Sequence, residues 1–528
     1  MEVKDYEKYL FAYKFENLVL MLLLALQSAS LVLASVMLSV MTDALVKKDF
    51  YGFLFWIGCN LAAYLGYLLL IYVCTVFQTW LIQKMSILIR NDYLQKMQQA
   101  PFQSFKQKDQ GEHLSILNND IQIIEQSGFA SFYSLLSTVF TTLFSIVALL
   151  NFDYRIVVLT IGLTLALTYL PQPFAKRMER VMGDFSIANE GFVAGMTDQL
   201  EGYSTLYYAS QKQVISQQFL KIMRHFMAEK MKFTKKSTAI EVVMALFSII
   251  GQVGVLLLTG LLIALGQISI GAISSVGQIA GNIFNSLTTF NQLRVSMASV
   301  RPIFQKFHSE SQVQRRKFTE NFKQIQLEKV GYQFGNHAVF TNLSLNLERG
   351  KKYAIVGQSG SGKSTLLALL LGNLRDYHGK IFYNETDLQT LDENSLLKRI
   401  NFVSNQTHIF QDTLRNNLTL WDEKITDAQL LCLLEQMNLT DFQSKLAESI
   451  NEHSLSTGQK QRIGLIRALL HPREILILDE ALANLDQQNA QKIEQLFLKQ
   501  PDLTYLTITH HLTSERAAYF DEVVRLEA

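Results

Sequence analysis

The sequence predicts a two-part fold, in which an α-helical membrane domain is followed by an α/β domain. Three observations support this prediction. The first half holds a series of long apolar stretches, the loop Gly357–Thr365 is rich in glycine, and beyond residue 325 short β-branched and aromatic segments alternate with helical ones. With 528 residues, of which 49% are hydrophobic and 18% charged, the chain is too long and too apolar for one soluble domain.

Six stretches of the first half reach the roughly 20 apolar residues that one bilayer crossing needs. A buried core helix would explain any single stretch, but six in series are typical of a membrane domain. The fourth is short and ends at Pro171 and Pro173, where a helix stops or kinks. The six stretches are Asn17–Met41, Gly52–Val73, Phe129–Leu150, Ile156–Leu170, Val242–Leu265 and Ile270–Phe290.

The basic residues predict how these spans are oriented. They concentrate in the connections between the second and third spans and between the fourth and fifth, whereas the other connections carry only Lys47, Lys48 and Arg155. Lysine and arginine favour the cytoplasmic side. We therefore expect a multi-pass protein of the cell membrane, with a cytoplasmic N-terminus and a cytoplasmic C-terminal domain. Both basic connections have helical patterns, which predicts that the spans continue as long cytoplasmic stalks.

The sixth stretch carries polar residues on one helical face, because they recur at steps of three and four. Polar groups at membrane depth must face protein or water rather than lipid. Two interpretations remain open: hydrogen bonds between helices, helped by Gly271, Gly277 and Gly281, or the lining of a translocation cavity. The polar row consists of Gln278, Asn282, Asn285, Thr289 and Gln292.

Charge and cysteine content argue against other kinds of protein. A net charge of +2 gives no support for nucleic-acid binding. The three cysteines, Cys59, Cys74 and Cys432, form no CxxC pair, so neither a disulfide framework nor a cysteine metal site is expected. The expected surroundings are therefore membrane lipids, not nucleic acid.

The loop Gly357–Thr365 lies directly after the apolar strand Tyr353–Val356 and directly before the helical run Leu366–Leu371. Strand, glycine loop and helix in this order form a phosphate-binding loop, in which backbone N–H groups and the positive end of the helix face a triphosphate. Lys363 is then expected to contact the outer phosphates, and Ser364 to hold Mg²⁺. The residues predicted to contact ATP here are Gly357, Ser359, Gly360, Ser361, Gly362, Lys363, Ser364 and Thr365.

These features divide the chain into a transmembrane domain at 1–300, a polar linker at 301–324 and a nucleotide-binding domain at 325–528. Strands alternating with helices in the last part favour an α/β fold. The predicted strands include Gln326–Val330, Lys352–Val356, Lys380–Tyr383, Ile400–Val403, Ile475–Leu478 and Tyr505–Thr509.

Two carboxylates end the apolar strand Ile475–Leu478. A strand buried on both faces reads as a continuous apolar run, and ligands bind at the carboxyl ends of such strands. Asp479 is therefore predicted to hold Mg²⁺, and Glu480 to polarise the attacking water. The alternative, two exposed loop acids, is disfavoured by the phosphate-binding loop upstream.

The pentapeptide Leu455–Gln459 precedes a helix-forming run. Ser456 and the backbone N–H groups of Gly458 and Gln459 are placed where a helix start contacts phosphate. Alone, this pentapeptide would be an ordinary helix cap.

Two polar residues follow other strands of the predicted sheet. His510 comes after Tyr505–Thr509, where an imidazole reaches the γ-phosphate and holds the attacking water in line. Gln406 comes after Ile400–Val403 and is predicted to contact Mg²⁺ and that water. A lone glutamine is weak evidence, and its value comes from its place between the other motifs.

With these residues in order, the chain resembles half-transporters of the ATP-binding cassette (ABC) superfamily, in the exporter architecture. Gly357–Thr365 matches the Walker A motif, Ile475–Asp479 the Walker B motif and Leu455–Gln459 the signature motif. The resemblance covers essentially the whole chain. It implies six transmembrane helices with long cytoplasmic stalks, joined to an α/β P-loop NTPase cassette.

The resemblance also implies roles for single residues. Glu480 falls on the catalytic glutamate and His510 on the switch histidine, which with Lys363 form the expected catalytic set. Gln406 falls on the Q-loop glutamine, and Phe334 on the aromatic residue that stacks on adenine. The implied cofactors are ATP and Mg²⁺, and the expected metal contacts are Ser364, Gln406 and Asp479.

A partner chain is implied as well. In this family two cassettes sandwich two ATP molecules, each bound by the Walker motifs of one chain and the signature of the other. A second half-transporter is therefore expected. Similar exporters suggest that Asn118–Ile121 and Gly202–Tyr208 are coupling helices, which carry cassette motion into the spans.

One departure bears on the choice of partner. Thr457 stands where the family usually has glycine, and its Cβ and hydroxyl crowd the approach of backbone to phosphate. A weakened signature beside an intact Glu480 and His510 is typical of one chain of a heterodimeric exporter. A heterodimer is therefore favoured over a homodimer that tolerates Thr457.

The implied function is ATP-driven export of an amphipathic solute (a drug-like molecule, a lipid or a peptide) by alternating access. Two alternatives remain open. One is an importer built on the exporter architecture, as in some siderophore systems, and the other is a non-transporting, ATP-driven membrane sensor. The direction of solute movement in vesicles distinguishes an exporter from an importer. ATP hydrolysis without any solute movement favours a sensor.

Overall fold

The computed structural model describes residues 4–108, 110–169, 172–308, 315–335, 337–510 and 512–526. The chain divides into two compact units, one of residues 1–98 and 110–310 and one of residues 99–109 and 311–528. The predicted end of the fourth span, at Leu170 and Pro171, lies outside the described residues, as do residues 309–314 of the predicted linker.

The first unit consists of long helices that continue well past the apolar stretches. At 1.5 Å per residue, the 50-residue helix Phe50–Gln99 is about 75 Å long, against roughly 30 Å for the hydrocarbon core of a bilayer. Much of this helix therefore extends beyond a membrane, as a stalk does. The helices are Lys4–Ala12, Lys14–Val46, Phe50–Gln99, Gln110–Leu150, Tyr154–Tyr169, Gln172–Glu201, Tyr203–Tyr208, Lys212–Ala264, Ala272–Ser299 and Arg301–His308.

The helical unit is apolar enough for a membrane domain, but the count of six spans stays a prediction. The helix Ala272–Ser299 occupies the place of the predicted sixth span, where Gln278, Asn282 and Asn285 lower its hydropathy. Tyr154–Ala166 is apolar but shorter than a span. Among the described residues, four helices are long and apolar enough to cross a membrane, namely Lys14–Val46, Phe50–Gln99, Gln110–Leu150 and Lys212–Ala264.

The short helix between the second and third long helices differs from the predicted one. Asn118–Ile121 lies inside the continuous helical run Gln110–Leu150, so a separate coupling helix there is wrong. The short helix is instead Phe102–Gln107, which begins after Pro101 and clusters with the second unit. At the other predicted position, the short helix Tyr203–Tyr208 does form between two long helices.

The second unit contains a five-stranded parallel sheet and a four-stranded antiparallel sheet. The strands are β1 (Gln324–Phe334), β2 (His337–Glu348), β3 (Lys352–Gly357), β4 (His378–Tyr383), β5 (Thr386–Asp387), β6 (Ile400–Val403), β7 (Asp412–Thr413), β8 (Ser449–Ile450), β9 (Ile475–Asp479), β10 (Thr504–Thr509) and β11 (Glu522–Leu526). The parallel sheet has the order β11-β3-β10-β9-β6, and the antiparallel sheet the order β2-β1-β4-β5. The strands β7 and β8 pair separately.

Helices cover the parallel sheet because its strands are apolar on both faces. The first four residues of β9 are all buried, as expected for a central strand of an α/β fold. The helices of this unit are Phe102–Gln107, Lys363–Leu370, Glu393–Leu397, Leu414–Thr419, Asp427–Gln436, Thr457–Leu470, Gln487–Leu498 and Ser514–Ala517, with 3₁₀ turns at Leu388–Thr390 and Thr440–Lys445.

The register of the parallel sheet brings the predicted site residues to one edge. Thr509 at the end of β10 pairs with Val356 of β3, and Ile508 pairs with Asp479 of β9. Parallel strands end at the same edge of a sheet, and ligands bind in the crevice there. Segments that lie more than 100 residues apart in sequence therefore meet at this edge.

Candidate functional site

A cavity of about 570 Å³ lies at the carboxyl ends of these strands. It is lined by the phosphate-binding loop from Ser359 to Thr365, and by Asp479, Glu480, His510 and Phe334. The structure therefore brings together most of the residues that the sequence predicted to contact nucleotide.

The phosphate-binding loop is closely packed at two glycines. A Cβ on Gly357 would lie 2.3 Å from the Ser361 Oγ atom. Gly362 has φ +86°, and a Cβ there would lie 2.6 Å from the ring of Phe340. Only glycine fits both places without displacing neighbours, and this leaves the backbone of the loop open towards the cavity.

The loop presents hydrogen-bond donors that suit an anion. Lys363 is 8% exposed, and its Nζ donates to the carbonyl oxygens of Gly357 at 2.8 Å and Gln358 at 2.7 Å. The buried Ser361 hydroxyl has no hydrogen-bond partner among the described residues. The helix that follows starts at Gly362 without a side-chain cap, so its first N–H groups face the cavity. These donors fit a triphosphate.

Glu480 and His510 form the second part of the site. The His510 Nε2 atom lies 2.7 Å from the Glu480 Oε1 atom, and His510 Nδ1 lies 3.4 Å from Lys363 Nζ. Glu480 has φ +51°, a left-handed backbone that costs energy for a non-glycine residue and is typical of functional sites. Its N–H donates to the Ile508 carbonyl at 3.2 Å, which holds the strained turn in place.

Asp479 is placed to hold a divalent cation. Burial raises the pKa of its carboxyl, and the neighbouring Glu480 raises it further, while Lys363 and His510 act in the opposite direction. Carboxylate and hydroxyl oxygens are the ligands that Mg²⁺ prefers, usually one or two of them together with phosphate. Asp479 and Ser364 fit that description. The described residues include no cluster of three or more His, Cys, Asp or Glu that could hold a metal.

Phe334 lies at the rim of the cavity. Its ring is 57% exposed and contacts the ring of Tyr332 edge-on, with centroids 5.0 Å apart. A large exposed aromatic face beside a phosphate-binding loop suits stacking on a nucleotide base.

Comparison with known proteins agrees with this geometry. Residues 18–287 match the family described as ABC transporter transmembrane region, and residues 340–483 match the family described as ABC transporter. The chain belongs to the ABC transporter family. Members of this family hydrolyse ATP at the cassette to drive transport, which agrees with the nucleotide cavity and the membrane helices found here.

Two relatives resemble this ABC transporter chain over much of its length, and a third resembles about a third of it. The lactococcin-A transport/processing ATP-binding protein LcnC of Lactococcus lactis is 28% identical over 82% of the chain, which spans 62% of LcnC. A probable ABC transporter ATP-binding/permease protein of Haemophilus influenzae is 26% identical over 84% of the chain and 83% of its own length. The glutathione/L-cysteine transport protein CydC of the same organism is 37% identical over 33% of the chain and 32% of its own length.

A similar solved structure is that of a bacterial Atm1-family ABC exporter with ATP bound. It covers 97% of this chain and 93% of its own, with a TM-score of 0.81 and 18% sequence identity. Such a likeness concerns the fold, which is that of an ABC exporter.

The signature residues of this transporter do not line its own cavity. Ser456 caps the helix that starts at Thr457: its hydroxyl accepts the Gln459 N–H at 3.3 Å, and the Gln459 side chain accepts the Ser456 N–H at 2.8 Å. Ser456 and Thr457 are exposed. A Cβ on Gly458 would lie 3.1 Å from the Asn484 carbonyl oxygen, so this glycine packs against the segment after Glu480.

Gln406 also lies outside the nucleotide cavity, in a neighbouring groove of the cassette, while the adjacent Asn405 lines the cavity. The role of Gln406 at the metal therefore stays a prediction. Sequence reasoning missed Asn405, although its place two residues after the end of β6 was the available signal.

A further contact that the sequence did not reveal joins the cassette to the segment before the third long helix. The Glu393 carboxylate accepts the Phe102 N–H, with both oxygens at 3.2 Å. Glu393 is buried, and burial raises the pKa of its carboxyl. The two residues are 291 positions apart, so only Pro101, which marks a helix start, hinted at this place.

Proposed function

We propose that this chain is one half of a dimeric ABC exporter of the cell membrane, which couples ATP hydrolysis to the movement of an amphipathic solute. The observation that carries the proposal is the set Lys363, Glu480 and His510 around one cavity, in a chain that also has membrane-crossing helices. The positive connections support cytoplasmic placement of the N-terminus and the cassette.

Hydrolysis assigns separate tasks to the residues of this site. Bound ATP with Mg²⁺ supplies the phosphoryl group whose transfer to water drives the cycle. Lys363 and the loop N–H groups would bind the phosphates and offset their charge, and Asp479 and Ser364 would hold the metal. Glu480, in contact with His510, orients the attacking water and accepts its proton.

The polar row of the sixth predicted span supports an amphipathic solute without a fixed charge. Residues 242–293 contain no Asp, Glu, Lys or Arg. The Asn282 Nδ2 atom is buried and has no hydrogen-bond partner in the described part of the chain. A buried donor without a partner costs about 1–3 kcal/mol, and a solute with amide or hydroxyl groups would satisfy it. LcnC and CydC are named for lactococcin and for glutathione and cysteine, which favours a peptide-like solute.

Transport is tested with the native complex in inside-out vesicles. A fluorescent, uncharged amphipathic peptide serves as the probe, and the complex with Glu480→Gln serves as the control. We expect ATP-dependent accumulation in the wild type only. Accumulation only in vesicles of the opposite orientation would favour an importer, and hydrolysis without flux of any tested solute would favour a sensor.

The exposed signature supports a heterodimer. Thr457 is exposed and does not line the nucleotide cavity of its own chain, which supports an effect on a nucleotide held by another chain. With Glu480 and His510 intact, this chain would supply the catalytic residues of one site, and a different half-transporter would supply the intact signature. Native mass spectrometry of the complex, purified from its membranes through a tag on this chain, tests this. We expect one copy of this chain with a different partner, and two copies of this chain would contradict it.

Glu393 is proposed to couple the cassette to the helices through the segment that starts at Phe102. Glu393→Ala leaves the Phe102 N–H without its acceptor, so peptide flux per ATP hydrolysed should fall. Glu393→Gln keeps an acceptor oxygen and should retain most of the flux. Equal coupling ratios in the wild type and in Glu393→Ala would contradict this role.

A further inference from the structure

A buried ion pair lies behind the catalytic residues. Arg516 donates from Nε and Nη2 to the two carboxylate oxygens of Glu494, at 2.7 and 2.6 Å. The hydroxyl of Tyr505 donates to the same carboxylate at 2.8 Å. The Glu494 side chain is 4% exposed and that of Arg516 is 21% exposed. A two-point contact of this kind fixes geometry as well as charge.

This ion pair connects the two chain segments that carry Glu480 and His510. Glu494 lies on the helix that follows Glu480, and Arg516 lies on the short helix that follows His510. The segments leave the neighbouring strands β9 and β10 and are joined twice, at Glu480 with His510 and again at Glu494 with Arg516. The two contacts therefore close a ring.

Each side of this ring contains a helix with a side-chain cap. The helix with Glu494 starts at Asp486, whose side chain accepts the Asn489 N–H at 3.0 Å. The helix with Arg516 starts at Thr513, whose hydroxyl accepts the Arg516 N–H at 3.4 Å. The ion pair therefore links two capped helices.

We propose that Glu494 and Arg516 are positioning residues that hold His510 against Glu480, a role that rests on the proposed ATP hydrolysis. Neither residue lines the nucleotide cavity, so they act through the segments they join. A buried ion pair contributes little to stability compared with apolar residues of the same volume, which favours a geometric role. Tyr505 bonds to the same carboxylate from within β10, where the sheet already holds its backbone.

The test compares Arg516→Lys with Tyr505→Phe in the native complex. The first keeps the charge but loses the two-point contact, and the second removes one hydrogen bond from the same carboxylate. For Arg516→Lys we expect a kcat about tenfold lower, since small misplacements at a reacting centre have effects of this size or larger, and an unchanged KM for ATP. Tyr505→Phe should lower the melting temperature while leaving kcat nearly unchanged.

A second measurement separates positioning from general loss of structure. In a His510→Ala background, Arg516→Lys should have no further effect on kcat, because the residue through which it acts is gone. The same fold-loss in both backgrounds would overturn the proposal, as would kcat losses in Arg516→Lys and Tyr505→Phe that simply follow their melting temperatures. If Arg516→Lys does not fold, Glu494→Gln takes its place in the same comparison.

The outcomes also distinguish a failure of the positioning role from a failure of the proposed ATP hydrolysis. A wild-type complex without ATP hydrolysis would contradict the proposed function. Normal hydrolysis that neither Arg516→Lys nor Glu494→Gln changes would contradict the positioning role alone.

Discussion

The phosphate-binding cavity and the signature segment of this cassette differ in how complete each is within one chain. In the cavity, His510 lies 2.7 Å from Glu480 and 3.4 Å from Lys363. In the signature, Ser456 makes its hydrogen bonds within its own helix cap and faces outward with Thr457. The difference is that the residues around the cavity contact one another within one chain, whereas the signature residues lie apart from that cavity. The proposed dimer gives the signature its ligand, a nucleotide held by the other chain.

The same contrast explains why the two segments tolerate substitution differently. A side chain at Gly357 or Gly362 would collide with the fold at 2.3 and 2.6 Å. Thr457 lies at an exposed helix start, where a side chain meets no such obstacle. A substitution at Thr457 is therefore expected to cost the fold little, and under the proposed function its effect falls on the partner's nucleotide.

The largest effect is expected from Lys363→Ala. Hydrogen bonds to charged groups are worth about 1.5–3 kcal/mol each, so losing two of them to phosphate should weaken ATP binding roughly a hundredfold or more. Photolabelling with azido-ATP measures this loss, with Lys351→Ala, which lies outside the cavity, as the control. Unchanged labelling would break the assignment of the cavity as the nucleotide site.

The next effect is that of Glu480→Gln, which separates binding from chemistry. Loss of a general base costs about 10²–10⁴ in rate, so turnover of the native complex should fall by at least a hundredfold. ATP binding should persist, and the complex should accumulate in an ATP-loaded, closed form detectable as trapped nucleotide. Retained turnover would mean that another residue activates the water.

A smaller effect concerns pH. Because burial and Glu480 raise the pKa of Asp479, its carboxyl takes up a proton at a higher pH than usual, and Mg²⁺-dependent ATP binding should weaken as the pH falls through that range. Glu480→Gln removes one of the two causes, so the midpoint should move to lower pH. Binding of a fluorescent ATP analogue, with and without Mg²⁺, measures this. A midpoint that stays in place or moves upward would contradict it.

The smallest effect is expected from Thr457→Gly. The test uses a complex that carries Glu480→Gln, which inactivates the ATP site formed by this chain's catalytic residues. The turnover that remains then comes from the other ATP site, where this chain supplies the signature. Removing the side chain should raise that turnover about fivefold, the equivalent of ~1 kcal/mol and one better hydrogen bond to phosphate. Unchanged turnover would mean that Thr457 is harmless and would weaken the case for a heterodimer.

Local patterns predicted the parts of this fold that depend on local chemistry. The strand Ile400–Val403 is found with the predicted bounds, and the apolar run before Asp479 is a buried central strand. Strand β2 escaped notice because its residues are mostly exposed or half-buried, so it carries little apolar signal. Strand β11 was missed as well, because it is short and lies at the edge of the sheet.

Long-range contacts could not be predicted in this way. The Glu393 contact with Phe102 and the Arg516 pair with Glu494 join residues whose local sequences resemble ordinary helix starts and surface helices. The coupling helix expected at Asn118–Ile121 was wrong because no proline or glycine breaks the helix there, whereas Pro101 begins one.

The most direct test of this contrast is the ATPase rate of the chain purified alone in lipid nanodiscs, compared with the native complex. The complex should hydrolyse ATP at a rate that Glu480→Gln lowers at least a hundredfold, while the chain alone should bind ATP with little turnover. Robust turnover by the chain alone, abolished by Glu480→Gln, would show that its own signature is sufficient and would contradict the heterodimeric site.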